Sequence, residues 1–203
     1  MKRGLDVLGA AAGLVLLSPV ILAVSVGILT TIGRPIFFRQ VRPGLHGRPF
    51  RMIKFRTMRD AVGADGAPLP DADRLVPFGR LLRETSLDEL PELWNVLAGD
   101  MSLVGPRPLL MRYLDRYTPE QARRHEVRPG VTGLAQVSGR NALSWDEKFA
   151  LDIRYVDTRN MMLDFRILWA TVSKVLRRDS VSAPNEATMG EFMGTAADRP
   201  RTD

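Results

Sequence analysis

Three acidic side chains lie close together in the stretch TSLDELPELWN, residues 85–95: Asp88, Glu89 and Glu92. A carboxylate can act as a nucleophile, and paired carboxylates suit a hard cation such as Mg²⁺. The rest of the chain is basic, so an acidic group of this density stands out. The stretch therefore supplies candidate catalytic residues.

The same stretch has a purely structural interpretation. Ser86 and Glu89 have the spacing of a helix capping box, in which each side chain satisfies the other residue's backbone amide. On this interpretation Asp88 faces the positive end of a helix dipole, which favours its ionised form at neutral pH. Apolar residues continue at helical intervals at Leu90, Leu93, Trp94 and Leu97. A helix cap and a catalytic pair are compatible, and the residues alone leave both open.

The composition limits the classes of function. The chain has 203 residues, 45% of them hydrophobic, which is enough for one compact domain with a core. Its net charge of +6 indicates an anionic partner such as nucleic acid, a phosphorylated small molecule or anionic lipid. Cysteine is absent, which excludes disulfides and cysteine–zinc sites, and His46 and His125 form no HExxH motif. The sequence has neither a P-loop nor a dinucleotide-binding glycine motif.

An uncharged apolar segment runs from Val7 to Ile32 and is long enough to enter a membrane. It is too long for the apolar region of a cleaved signal peptide, and Ser18 and Pro19 interrupt it. A proline inside a helix removes a backbone hydrogen bond and bends the chain. Basic residues flank the segment on both sides, namely Lys2, Arg3, Arg34, Arg39 and Arg42. We therefore expect a re-entrant helix pair, broken at Ser18–Pro19, in preference to a straight span, because both basic flanks then stay on the cytoplasmic face.

Two alternating apolar–polar runs, Ile36–Val41 and Phe50–Phe55, enclose the turn-rich sequence RPGLHGR and predict a β-hairpin. The hairpin and the residues after it are rich in cations: Arg39, Arg42, Arg48, Arg51, Lys54, Arg56 and Arg59. A solvated charged face explains most of them. Their density beside a membrane segment also favours contact with anionic headgroups or a phosphorylated substrate, for which Lys54 and Arg56 are our candidates.

Helical spacing predicts most of the remaining elements. The predicted helices are one through the acidic stretch to Ala98, then Leu109–Tyr117, Pro119–Glu126, one capped by Ser144, and Met161–Arg178. The sequence DMSLVGPRPLL predicts a loop, with Pro106 and Pro108 on either side of Arg107. The sequence RPGVTGLAQVSGRN predicts a glycine-rich loop with a short strand. The last helix either packs on the core or lies in the headgroup plane of a membrane.

Taken together, these segments resemble the bacterial sugar transferase family, specifically its small monotopic phosphoglycosyl transferases. The resemblance rests on KRGLD before the apolar helix, the Ser18–Pro19 pair, QVRPGLHGRPFRMIKFRTM, TSLDELPELWNVLAGDMSLVGPRPLL, RPGVTGLAQVSGRN and SWDEKFALDIRYV. These motifs follow in order from Lys2 to about Lys174, nearly the whole chain. The chain resembles the minimal form of the family, without additional transmembrane helices before this module.

The resemblance implies an enzyme that transfers a phosphosugar from a UDP-sugar to undecaprenyl phosphate, releases UMP and begins a membrane-bound glycan. In family terms Asp88 matches the nucleophile that carries the phosphosugar, and Glu89 its partner in a dyad that works with Mg²⁺. Arg83 and Arg107, the latter within the turn Pro106–Pro108, match positions that contact phosphate or nucleotide. A UDP-N-acetylated or diacetamido hexose is the donor that we expect.

We expect an α+β, mainly helical fold in three parts. Residues 1–33 form the re-entrant membrane helix pair, residues 34–180 a cytoplasmic catalytic domain with interfacial amphipathic helices, and residues 181–203 a partly disordered tail. In the tail, SAPNEATMGEFMG resembles an element of part of the family and either helps to close the sugar site or is a disordered extension.

The expected location is the bacterial inner membrane, so membrane lipid is an expected partner beside the two substrates. A homodimer is also allowed, whereas nucleic acid is not expected. One competing hypothesis is a non-catalytic membrane-tethered scaffold, against which the intact Asp88–Glu89 pair argues. Another is a basic nucleic-acid-binding protein, which the long apolar N-terminal segment disfavours.

Overall fold

Helices dominate the computed structural model of the chain, which describes residues 1–63, 66–67, 69–139, 143–177 and 190–194. The α-helices are α1 (Lys2–Leu16), α2 (Ser18–Thr31), α3 (Asp71–Arg74), α4 (Pro77–Glu84), α5 (Glu92–Ala98), α6 (Pro119–Ala122), α7 (Leu134–Ser138), α8 (Trp145–Thr158) and α9 (Met161–Arg177). The strands are β1 (Phe37–Pro43), β2 (Pro49–Phe55), β3 (Ser102–Val104) and β4 (Gly130–Thr132). Short 3₁₀ helices cover Leu45–Gly47, Leu87–Glu89, Met111–Arg116 and Arg123–Glu126. The predicted α+β, mainly helical class is confirmed.

Strands β1 and β2 form the predicted antiparallel hairpin, with Phe37 opposite Phe55 and Pro43 opposite Pro49. Asn95 of α5 fastens the helix to this hairpin. Its side-chain oxygen accepts from the Ile53 amide at 3.0 Å, and its side-chain nitrogen donates to the Arg51 carbonyl at 2.8 Å. The acidic stretch is thereby held against the strand that carries Lys54.

A second sheet pairs β3 with β4 in parallel. The prediction that residues 100–110 form only a loop is therefore wrong at β3, whereas the short strand predicted in RPGVTGLAQVSGRN is confirmed as β4. The pairing depends on two glycines, because a Cβ on Gly130 would lie 2.1 Å from the Gly105 nitrogen. Helix α7, directly after β4, replaces part of the predicted loop.

The helix predicted through the acidic stretch is broken into α4, the 3₁₀ turn Leu87–Glu89 and α5. Ser86 has a left-handed backbone (φ 56°) and cannot continue a helix, and Pro91 precedes α5. Helix α5 ends at Gly99 (φ 96°), as predicted. The two helices predicted in residues 109–126 are 3₁₀ turns around the single α-helical turn α6.

Helices α1 and α2 meet at Leu17 with a bend of 61°. The break falls at the predicted Ser18–Pro19 pair, where Pro19 lies in the first turn of α2 and needs no amide partner. Ser18 donates its hydroxyl to the Val15 carbonyl at 2.8 Å. In the part of the chain that the structure describes, no single helix is long and apolar enough to cross a membrane, whereas this bent pair meets the criteria together.

The start of α1 is bonded to the globular part of the chain. Lys2 pairs with Asp164 of α9 at 2.7 Å, and Arg3 donates to the Val96 carbonyl of α5 at 2.6 Å. Asp6 is 5% exposed and accepts hydrogen bonds from the Ser102 hydroxyl at 2.9 Å and the Leu103 amide at 3.0 Å.

The end of α2 is attached as well. Val24 and Ile28 pack with Phe55 and Leu82 in one hydrophobic cluster. The bend between the two attachments is solvent-exposed and apolar, with Val15 and Leu16 more than 70% exposed. The helix pair therefore leaves the globular part, turns and returns to it.

Helices α8 and α9 are the last two helices of the described part of the chain. The capping box predicted at Ser144 is confirmed, because Ser144 and Glu147 exchange both hydrogen bonds. On α9, Ile167 packs in a hydrophobic cluster with Val104 and Tyr155, so packing on the core is confirmed for this face. The other face of α9 is apolar but exposed, at Met162, Phe165, Trp169 and Val172.

Residues 190–194 pack against the domain. Phe192 is 2% exposed and lies among aromatic rings, those of Tyr113, Tyr117, Trp145 and Phe149. Glu191 pairs with Arg112 and Arg116, each at 2.8 Å. The prediction of a partly disordered tail concerns mostly residues 181–189 and 195–203, which lie outside the described residues.

Candidate active site

Lys54 of β2 links two of the three acidic side chains of the opening stretch. Its Nζ donates to Oε1 of Glu89 at 2.7 Å and lies 3.1 Å from Oε1 of Glu92. Glu92 is 1% exposed, and its Oε1 forms an ion pair but no hydrogen bond with any described residue. Burial raises the pKa of Glu92 to about 7, against the opposing charge of Lys54.

Arg107 reaches the same Oε1 of Glu89 from the turn Pro106–Pro108 and forms a second ion pair with it. Burial alone would raise the pKa of Glu89, but Arg107 and Lys54 overcome that effect and hold the pKa well below its usual range. The carboxylate in turn raises the pKa of Arg107. Glu89 is therefore anionic at every physiological pH.

Asp88 differs from its neighbour, because the residue is only 9% exposed and no described residue forms a hydrogen bond or ion pair with its carboxylate. Burial, and then the charge of Glu89, raise its pKa to about 6. The pKa of Asp88 is thus raised, whereas a helix dipole acting alone would lower it, and the 3₁₀ helix Leu87–Glu89 has only three residues. Asp88 is still mainly ionised at pH 7.

The predicted capping box at Ser86 is also wrong. The Ser86 side chain accepts no capping hydrogen bond, and its carbonyl accepts from the Glu89 amide at 3.2 Å instead. The Glu89 side chain points to Lys54 and Arg107, so it cannot satisfy the Ser86 amide. In this stretch the ion pairs with distant residues outweigh the local cap.

Of the other predicted site residues, Arg83 lies close enough for its charge to lower the pKa of Asp88, and its Nε donates to the Thr57 hydroxyl at 3.0 Å. Arg56 does not join the carboxylates. Its guanidinium donates to the Arg34 and Met58 carbonyls at 2.6 and 2.9 Å and pairs with Asp60. Arg56 therefore links the backbone before the hairpin, at Arg34, to the backbone after it, at Met58.

The turn that presents Arg107 is held through its backbone. The Pro106 carbonyl accepts from the Gly130 amide at 3.0 Å, next to the β3–β4 pair. The Arg107 carbonyl accepts from Arg124 Nη2 at 2.7 Å. Both prolines are buried, while the Arg107 side chain is 41% exposed and accessible to a ligand.

A family model described as bacterial sugar transferase matches residues 1–178 of the chain. The chain belongs to the bacterial sugar transferase family. It is therefore a transferase, as the resemblance implied, and both Asp88 and the ion-paired Glu89 lie within the matched region.

Relatives of the transferase extend this result. It is 53% identical over 96% of both chains to the uncharacterized sugar transferase EpsL of Bacillus subtilis. It is 42% identical to a UDP-glucose:undecaprenyl-phosphate glucose-1-phosphate transferase of Caulobacter vibrioides, over 88% of this chain and 71% of that protein. It is 37% identical to an undecaprenyl-phosphate galactose phosphotransferase of Salmonella typhimurium, over 88% and 41% respectively.

Two residues of the transferase's site, Glu92 and Arg42, were not assigned a specific role from the sequence. Glu92 follows Glu89 by three residues, which places both on one side of a helical turn and offered a signal. Arg42 is half-buried near Arg107, and burial followed by the Arg107 charge lowers its pKa to about 10. Only the paired strands bring Arg42 near this site, so the sequence offered no comparable signal.

The donor set fits a hard cation better than a soft one, because it consists of carboxylate oxygens without cysteine or histidine. No three Asp, Glu, His or Cys side chains are close enough to hold a metal among the residues that the structure covers. Mg²⁺ commonly uses one or two carboxylates and completes its shell with water and substrate phosphates. Asp88 and Glu89, adjacent in the 3₁₀ helix Leu87–Glu89, are the two carboxylates that would hold such an ion.

Proposed function

We propose that the transferase moves a phosphosugar from a UDP-sugar to undecaprenyl phosphate, releasing UMP, and so begins the synthesis of a membrane-bound glycan such as an exopolysaccharide. One observation carries the proposal: two adjacent carboxylates in one cluster are in opposite states, with Glu89 held by two cations and Asp88 buried without a hydrogen-bond or ion-pair partner among the described residues. The names of the Caulobacter and Salmonella relatives support the substrate classes.

In the first step a carboxylate oxygen of Asp88 bonds to the β-phosphorus of the donor, and the bond from that phosphorus to the bridging oxygen breaks. UMP leaves with the bridging oxygen, and Asp88 holds the phosphosugar as an acyl phosphate. A carboxylate without hydrogen bonds or ion pairs is a better nucleophile than one neutralised by cations. This is why Asp88 is assigned the attack and Glu89 is not.

The diphosphate repels Asp88, so cations must neutralise the charge as the two approach. Arg107 is placed for this role, because its guanidinium is partly exposed beside the dyad. Arg83 is close enough to Asp88 to lower its pKa and adds a second positive charge near it. Mg²⁺ held by Asp88 and Glu89, when bound, would neutralise the diphosphate and stabilise the leaving UMP.

In the second step a phosphate oxygen of undecaprenyl phosphate attacks the same phosphorus, and the bond to Asp88 breaks. The carboxylate is regenerated, and no proton is needed in either displacement. UMP release before acceptor attack makes the reaction a two-step, ping-pong exchange. The acceptor phosphate must therefore reach Asp88 after UMP has left. Because the acceptor carries a polyprenyl chain, we expect it to do so from the membrane surface.

We propose that α1 and α2 form a re-entrant pair that places the active site at the cytoplasmic face of the inner membrane. Two observations support this: both ends of the pair are bonded to the globular part, and the bend between them is apolar and exposed. The exposed apolar face of α9 starts beside Asp164, which pairs with Lys2 at the start of α1. This face is therefore assigned to the headgroup region.

The covalent step is tested by mass spectrometry of protein incubated with UDP-sugar and Mg²⁺ but no acceptor. We expect a phosphosugar adduct on the peptide that contains Asp88, and none in Asp88→Asn. This variant should fold normally and lose turnover on the order of 10³-fold or more. Asp115→Asn, at an exposed aspartate, is the matched control and should retain both the adduct and turnover.

Near wild-type turnover of Asp88→Asn would remove Asp88 from the chemistry. The donor panel should contain UDP-glucose and UDP-galactose, the hexose donors suggested by the relatives' names, and the N-acetylated and diacetamido hexoses that we expected. If no donor of this panel supports UMP release in the presence of undecaprenyl phosphate and Mg²⁺, the alternative of a non-catalytic scaffold is favoured.

A further inference from the structure

Arg124 is a buried cation near the site, only 2% exposed, in the 3₁₀ helix Arg123–Glu126. Its Nε and Nη2 both donate to Oδ2 of Asp152 on α8, at 3.0 and 2.7 Å. Its Nη1 donates to the Tyr117 hydroxyl at 3.2 Å. The guanidinium also lies over the rings of Tyr117 and Phe149, 5.7 and 5.6 Å from their centroids. Its position is thus fixed from several sides.

The same Nη2 donates to the backbone carbonyl of Arg107 at 2.7 Å. Arg107 is the residue whose side chain pairs with Glu89 and is proposed to meet the diphosphate. A continuous set of contacts therefore runs from Asp152 through Arg124 and the Arg107 backbone to Glu89. Each of these contacts is a charge-assisted hydrogen bond or an ion pair.

A buried ion pair is a poor way to gain stability alone, because well-packed apolar residues of similar volume often serve as well or better. Its value lies in geometry, since a guanidinium held at a fixed angle can hold a third group in place. We propose that Arg124 and Asp152 are positioning residues that hold the turn Pro106–Pro108 so that Arg107 reaches Glu89 and the donor diphosphate. The inference rests on the proposed function, in which Arg107 binds the donor.

A neighbouring pair provides a matched control. Arg123 pairs with Asp157, one residue before Arg124 and five after Asp152. It joins the same two elements, but its side chains are 34% and 48% exposed, and within the described residues neither of them forms a hydrogen bond or ion pair with the turn that carries Arg107. If donor binding merely required ion pairs between the 3₁₀ helix and α8, the Arg124–Asp152 and Arg123–Asp157 pairs would be equally important for it.

The test measures the dissociation constant of UDP-sugar by calorimetry in full-length, detergent-solubilised protein, together with the donor and acceptor KM. Asp152→Asn should weaken donor binding about tenfold and leave the acceptor KM unchanged, whereas Asp157→Asn should change neither. Should Asp152→Asn fail to fold, the double variant Arg124→Met/Asp152→Leu leaves no unpaired buried charge and carries the same expectation. Wild-type donor affinity in a folded variant of this pair would overturn the proposal.

A double-mutant cycle separates positioning from a merely structural effect. In the Arg107→Ala background, Asp152→Asn should weaken donor binding less than about twofold further, because the side chain that it positions is gone. A further loss close to tenfold would mean that the pair acts independently of Arg107, and would overturn the inference while leaving the proposed function intact. If Arg107→Ala alone binds donor normally, both the role of Arg107 and the positioning inference fail.

Discussion

Two adjacent acidic residues with similar chemistry acquire different properties from their neighbours. The cations that hold Glu89 come from 35 residues before it and 18 residues after it, and neither cation pairs with Asp88. The pKa of Glu89 is consequently lowered and that of Asp88 raised to about 6. A difference of this kind, set by environment, allows one carboxylate to react while its neighbour stays a fixed charge.

At this scale we predict a requirement for a hard divalent cation. Exhaustive EDTA treatment should lower the rate of UMP release by roughly 100-fold or more, and Mg²⁺ or Mn²⁺ should restore it. Glu89→Gln should need more Mg²⁺ for half-maximal activity, because one of two carboxylate ligands is neutralised. Calorimetric titration with Mn²⁺ gives a second readout. Full activity in EDTA would contradict the prediction.

At the scale of elements, the site is assembled where short pieces of chain meet. The 3₁₀ helix Arg123–Glu126 contributes Arg124 to the inside, and the next residue, His125, lies against the ring of Tyr117. Nε2 of His125 has no hydrogen-bond partner among the described residues. Burial, and then the charge of Arg124, lower the pKa of His125 to about 4.

This histidine predicts a pH dependence of stability. Its pKa in the folded state lies below the value of 6.5 expected when unfolded, so the folded state favours neutral imidazole. The resulting stabilisation, about 3 kcal/mol at most, is complete above pH 6.5 and is lost as the pH falls through about 4. Urea unfolding of wild type should show this loss, and His125→Gln should lack it.

The comparison between variants isolates His125 from other titrating groups. Asp88 and Glu92 have raised pKa values, so they contribute the opposite slope, with stability gained as the pH falls through about 6 for Asp88 and about 7 for Glu92. His46, the chain's other histidine, is exposed, and the variant His46→Gln serves as the control. An unchanged pH dependence in His125→Gln would show that His125 is not the group responsible.

The elements also show what the sequence could and could not reveal. The hairpin, the helix end at Gly99 and the capping box at Ser144 follow from patterns within a few residues, and these predictions are confirmed. The left-handed Ser86 and strand β3 were missed, because they depend on contacts with residues far along the chain.

Some residues of the candidate site could be named from the sequence, and others could not. Asp88, Glu89 and Arg107 were named from motifs, and the structure brings them together with Lys54. Arg124 was not named, because a buried arginine 17 residues after Arg107 has no local pattern that distinguishes it from the neighbouring Arg123. Its importance is visible only once its hydrogen bonds to Asp152 and the Arg107 carbonyl are known.

At the scale of the whole molecule, the attachment of both helix ends predicts the membrane topology. Without native cysteine, an introduced cysteine is the only thiol. Gly4→Cys has open space around the new side chain. In spheroplasts an impermeant thiol reagent should leave Gly4→Cys unlabelled until the membrane is permeabilised, and Asp115→Cys on the catalytic domain should behave identically.

Replacing Ser18 and Pro19 by Ala and Leu removes the break and should favour a straight span. In that background Gly4→Cys should become accessible from outside while Asp115→Cys stays protected. Labelling of Gly4→Cys from outside in the otherwise native chain would contradict the re-entrant arrangement.

The contribution of the helix pair to the hydrophobic clusters has a practical consequence for inhibitor screening. Ala10 is completely buried with Met52, Leu93, Val96 and Met101, and Ile28 with Phe55 and Leu82. A shortened polypeptide that starts after residue 33 would expose those clusters to water instead of giving a soluble enzyme. We therefore expect that compounds must be screened on the intact protein in detergent or nanodiscs, where the proposed lipid-facing surface is available as well as the proposed donor site.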